Sequence, residues 1–153
     1  MRRFISLFVL VSALSLIATV TGSSGAAPAV LGHGTLSTGA HFNVNAGSYT
    51  FQRGTNSFFI VGKVLCVFQS GTFAAVGGTI TDSSNPDIVG PNHYFLVYFS
   101  GQTATHPNID PQNDPDVSGL LPPGFPATCP SSAPGDAVFH PVIEPPGFIK
   151  YAT

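Results

Sequence analysis

The chain predicts an all-β protein: a single antiparallel β-sandwich or short β-barrel, preceded by an N-terminal signal segment. Three observations carry that reading. Strand-length apolar runs recur between clusters of Gly, Pro, Asn and Ser; several runs alternate with period two; and helical spacing is absent beyond the first 26 residues.

Met1-Arg2-Arg3 is a short basic region, followed by an apolar run from Phe4 to Val20 and a small-x-small site at Ser24-Gly25-Ala26. This is the pattern of a secretory signal peptide, with cleavage expected after Ala26, or after Gly22 as the alternative. An uncleaved N-terminal anchor is the competing reading, because the apolar run is slightly long. The expected division is therefore a signal at 1–26 and one β domain at 27–153, containing a long Pro-rich loop at about 100–135. No second apolar run could span a bilayer, so no membrane span is expected after cleavage.

Loss of Arg2 and Arg3 leaves three basic residues (Arg53, Lys63, Lys150) against seven acidic ones, a formal charge of −4. Without a basic patch, nucleic acid and anionic membranes lack their usual electrostatic attraction. The mature chain, about 127 residues long, could bury roughly two-thirds of its unfolded surface, enough for a core without metal ions. Its cysteines are Cys66 and Cys129. In an oxidising compartment one intramolecular disulfide is the default; two buried thiols or a metal pair are the alternatives. A zinc site is disfavoured, since no CxxC or nearby His accompanies either cysteine.

In order along the chain, glycines at 32, 34, 39, 47 and 54 divide the first segment into short runs. Ala40, Phe42 and Val44 form an inward face, His41, Asn43 and Asn45 point out, and Tyr49 and Phe51 continue the pattern. Asn56 to Val61 leads into the central segment, with Gly62 at a bulge or bend. From Lys63 to Thr81 two apolar strands meet at a Ser70-Gly71 turn. That turn sets Gln69 opposite Thr72, Phe68 opposite Phe73 and Cys66 opposite Ala75. Val64, Cys66 and Phe68 share one face, Leu65 and Val67 the other, as in a strand buried on both sides. Small residues at Ala74, Ala75, Gly77 and Gly78 leave room for a loop or sheet to approach.

His93 to Phe99 is a further strand apolar on both faces. Ser100 to Gly135 is rich in proline, which cannot donate to a sheet ladder, and is expected to be irregular, with a brief apolar contact at Val117 to Leu121. Ala137 to Ile143 and Phe148 to Tyr151 are closing strands separated by Glu144-Pro145-Pro146-Gly147.

The segment from Cys66 resembles a family of small exported bacterial β-proteins that are largely uncharacterised. Their motif is Cys, four residues, Gly, two residues, Ala, one residue, Val or Ile, then Gly-Gly. It falls here on Cys66, Gly71, Ala74, Val76, Gly77 and Gly78. Gly32-His33-Gly34-Thr35 resembles an early Gly-x-Gly-Thr element of that family, and Cys129 its late cysteine. The family's Asp-Asn-Gly turn is replaced by Phe99-Ser100-Gly101. The resemblance implies export and an all-β fold, and brings no activity or ligand.

Candidate chemistry is sparse. Asp110, Asp114 and Asp116, among Asn and Gln, concentrate oxygen ligands and form a weak calcium candidate. A glycine at the tight turn and a closing bidentate Glu are both missing, and Pro111 and Pro115 restrict wrapping, so a solvated acidic loop is the preferred reading. His33, His41, His93, His106 and His140 form no local metal motif and are expected at the surface or at strand edges. There is no GxSxG elbow, and Asp136 with Glu144 reads as a pair of ordinary loop charges rather than a glycosidase pair. The aromatic residues read first as core and second as the lining of an apolar cavity. No cofactor is expected. The chain reads as a secreted, non-enzymatic protein acting at or outside the cell envelope through its loops on an unidentified partner. A carrier of a small apolar ligand in a barrel cavity, or a hydrolase, is the alternative.

Overall fold

A computed structural model describes residues 30–54, 58–110 and 125–151. The expected signal segment, the Val117 to Leu121 contact, and Asp114 and Asp116 lie outside the described residues.

Nine strands are present among the described residues: β1 (Val30–Leu36), β2 (Ala40–Val44), β3 (Ser48–Arg53), β4 (Phe59–Ser70), β5 (Phe73–Ser83), β6 (Tyr94–Ser100), β7 (Thr103–Ala104), β8 (Asn108–Ile109) and β9 (His140–Tyr151). Each of β1 to β6 pairs antiparallel with the next; β6 pairs with β7, β7 with β9, and β9 with β1. The sheet thus closes into an eight-strand barrel, and the choice between sandwich and barrel falls to the barrel. Closure removes the exposed edges that an open sheet would have.

Alternation decides what fills the barrel. Ala40, Phe42 and Val44 of β2, Tyr49 and Phe51 of β3, and Phe95, Val97 and Phe99 of β6 point inward and are buried. Tyr49 stacks on Phe95 with ring centroids 5.0 Å apart. Phe95 can lie there because Gly62 and Gly78 present no Cβ; a side chain at Gly62 would overlap its ring, and one at Gly78 would lie 3.0 Å from it. Burial raises the Tyr49 phenol far above its ordinary pKa.

The central hairpin forms, in a different register from the one expected. Its loop is Gly71-Thr72, with Ser70 opposite Phe73, Phe68 opposite Ala75 and Cys66 opposite Gly77. Gly71 has φ +57°, the left-handed backbone that glycine tolerates at the first position of a two-residue loop. The two faces also differ from the simple alternation. Leu65 is an extra residue between the Val64–Gly78 and Cys66–Gly77 pairs, so the strand changes phase there. Val64 and Val67 pack on the barrel core, while Cys66 and Phe68 join a second cluster outside it. The irregularity expected at Gly62 is present, with the extra residue, Thr81, on the partner strand.

Two other expectations need correction. The 100–135 stretch is not wholly irregular, because β7 and β8 lie in it and β7 completes the barrel wall. Strands of two residues are too short for periodicity to reveal. The two closing strands are a single β9, in which residues 144–147 stand opposite Gly34 alone, between the Thr35–Ile143 and His33–Phe148 pairs.

Candidate functional site

The Ser100-Gly101-Gln102-Thr103 hairpin starts the site. Gly101 has φ +56°, and its N–H donates to the Thr72 carbonyl (2.9 Å), tying this turn to the turn of the central hairpin. After Ala104 the ladder changes character. The Tyr98 N–H donates to the Thr105 hydroxyl (3.1 Å), and the Thr105 N–H donates to the Tyr98 carbonyl (2.9 Å). A side-chain oxygen thus replaces a backbone carbonyl, and Pro107 has no N–H with which to continue the ladder. The chain departs from β6 and rejoins it as β8, where Leu96 pairs with Asn108.

His106 occupies that departure. Its ring lies 5.4 Å from the Phe51 ring and 4.8 Å from the His140 ring, and its Nε2 is 2.9 Å from the Thr38 hydroxyl. His140 is held at the first position of β9, opposite Ala104. Around the two imidazoles, Tyr98, Asn108, Asp136 and Val138 line a cleft of about 270 Å³ beneath the 134–140 segment. Burial lowers the His106 pKa, and the neighbouring His140 and Arg53 lower it further. The neutral imidazole is thereby favoured. Burial also pushes the Tyr98 phenol up to about 12.

The residues singled out in the sequence mostly build the scaffold. Cys66 and Cys129 form a disulfide with Cα atoms 5.4 Å apart. Ala74 and Val76 are fully buried in the barrel core. Gly77 faces out beneath the Phe125 ring, where an added Cβ would lie 2.8 Å from that ring and 3.2 Å from the Cys66 sulfur. Gly78 faces in and allows the Lys63 carbonyl to approach its backbone.

Asp110 adopts φ +51° and forms a clasp. One carboxylate oxygen accepts the Tyr94 N–H (2.9 Å), and the other lies 2.8 Å from His93 Nδ1. Both oxygens are therefore engaged by the chain itself. Among the described residues no group of three or more His, Cys, Asp or Glu is arranged to hold a metal ion. Asp136 lines the cleft; the side chain of Glu144 lies outside the description.

Expected at the surface or at strand edges, the histidines divide into solitary and clustered ones. His33 and His41 are exposed on the barrel wall, as expected. His93 belongs to the clasp, and His106 and His140 meet across 34 positions of sequence. Only a following proline marks the last two alike, at Pro107 and Pro141.

No family model, curated protein or solved structure matches the chain.

Proposed function

We propose that the chain is an exported, non-catalytic binding protein whose loops take a small polar ligand in the cleft beneath residues 134–140. The observation that carries this is the meeting of His106 and His140 with Tyr98, Asn108 and Asp136 around one hollow. Its volume of about 270 Å³ suits a molecule smaller than a drug-sized ligand. Two imidazoles, an amide, a phenol and a carboxylate offer both donors and acceptors.

Export is supported by the signal-like first 26 residues, by the disulfide, and by the likeness of the Cys66–Gly78 segment to small exported β-proteins. No described helix is long and apolar enough to cross a membrane. The outward positions of β2 and β3 hold His41, Asn43, Thr50 and Gln52, whereas a transmembrane barrel turns apolar residues outward. Binding is favoured over catalysis because both thiols are joined in the disulfide. The aromatic packing around Tyr49, Phe95 and Phe99 favours a core over a ligand chamber inside the barrel.

Two-dimensional NMR of the disulfide-intact protein against a library of sugars, amino acids and small carboxylic acids tests the reading. Perturbations confined to residues 105–108 and 134–140, and abolished in His140→Phe, are expected. Turnover of an ester, peptide or glycoside that disappears in His106→Ala would replace binding with catalysis. An apolar adduct retained in native mass spectra would replace it with carriage.

A further inference from the structure

A second surface, elsewhere on the outside of the barrel, has its own construction. The strand registers line up outward side chains in two rows across β9, β1, β2, β3 and β4. One row is Phe148, His33, Asn43, Thr50 and Val61; the other is Ile143, Thr35, His41, Gln52 and Phe59. Each row starts and ends on an apolar residue and carries only uncharged or imidazole groups between. At about 4.8 Å per strand spacing, the rows span roughly 19 Å.

Two grooves, of about 340 and 360 Å³, lie along these rows and share His41 and Asn43. Several side chains are already held in place. His41 Nδ1 lies 2.8 Å from the Thr35 hydroxyl, which leaves Nε2 as the ring's other polar atom. The His33 and Phe148 rings meet in a T-shaped arrangement with centroids 4.7 Å apart, and the Lys150 ammonium lies over the Phe148 ring at 5.1 Å.

We propose that this face binds a neutral polysaccharide laid across the strands. The sugar ring combines hydroxyls, which donate and accept, with apolar C–H faces. Asn43, Thr50, Gln52 and His41 answer the hydroxyls, and Phe148 and Phe59 answer the faces. Other polymers fit less well. β1 to β4 are each paired on both sides, so their backbones cannot take up a peptide as an added strand. Neither row itself holds a lysine or arginine to attract a polyanion; Lys150 and Lys63 stand in the next row, opposite Leu31 and Ser48, and only the Phe148 end of one row is reached by the Lys150 ammonium. This proposal does not depend on the cleft.

Native gel electrophoresis of the disulfide-intact protein through mixed-linkage β-glucan, xylan, galactomannan, dextran and, as the polyanion, alginate tests it. At least one neutral polymer should retard the protein. The dissociation constant should rise at least tenfold in the His41→Ala/Asn43→Ala double variant and in Phe148→Ala, and should be unchanged in Thr72→Ala, at the exposed turn of the central hairpin. The single variant Asn43→Asp, close in size to the native residue, should weaken retention in the same direction. Near-ultraviolet circular dichroism confirms that each variant is folded. Retardation by none of the neutral polymers, by alginate alone, or equally for native protein and face variants would overturn the proposal.

Discussion

The outside of the barrel has two halves, built under different constraints. Over β4, β5 and β6 the returning segment 125–139 lies against the wall, and Leu96, Tyr98, Ala75 and Cys66 are buried beneath Phe125. Over β1, β2 and β3 the corresponding positions are His33, His41, Asn43 and Gln52, all exposed. Both halves enclose the same interior, so the inward residues of both are apolar. What differs is the second face. Where the chain covers the wall, strands are apolar on both sides and small residues such as Gly77 admit the covering ring. Where no described segment covers it, strands alternate. A cover also has to be retained, and the disulfide, with Phe125 packed beside it, holds this one.

If that contrast is right, the largest loss comes from releasing the cover. Cys129→Ser opens a bridge spanning 63 residues, and the chain-entropy model puts the loss at about 4 kcal/mol, read as a lower midpoint in urea. Phe125→Ala should come next, at about 3 kcal/mol, since it empties the cover's main apolar contact. Gly77→Ala should cost about 1–3 kcal/mol by forcing the ring and sulfur away from the wall, and an unchanged midpoint would show the cover to be loosely seated. On the open half, Thr50→Ala should change stability by no more than about 0.5 kcal/mol. A larger loss there would break the comparison.

A pH series sharpens the boundary between the halves. The folded-state pKa of His106 lies below the unfolded value of about 6.5, so the unfolded chain binds more protons across that window. Its contribution to stability is complete above about pH 6.5 and is lost as pH falls through the lower folded value. The melting temperature should therefore be lower at pH 5 than at pH 7.5, and the difference should shrink in His106→Gln.

Much of the architecture is legible in the sequence. The alternation of Ala40, Phe42 and Val44 against His41 and Asn43 marked the open half, and the two-sided apolarity of His93 to Phe99 marked a covered strand. The small residues at Gly77 and Gly78 announced a close approach, though not that Phe125 approaches one from outside and Phe95 approaches the other from inside. The hairpin register escaped because Ser70-Gly71 and Gly71-Thr72 are both acceptable loops locally. The Leu65 bulge then reversed the phase without leaving a mark in composition. The cleft was not legible, because the His106–His140 meeting depends on β7 pairing with both β6 and β9 through only two residues.

Taken alone, the amino-acid order determined the strand-rich class, the inward sets on β2 and β3, the signal-like beginning and a disulfide as the default state of two cysteines. These follow from side-chain periodicity and local chemistry, which act over a few residues. Closure into a barrel, the side of the wall that receives the cover, and the pairing of His106 with His140 were decided only in three dimensions. They depend on strand register and on contacts between residues far apart in the chain, where a shift of one position exchanges the inner and outer faces.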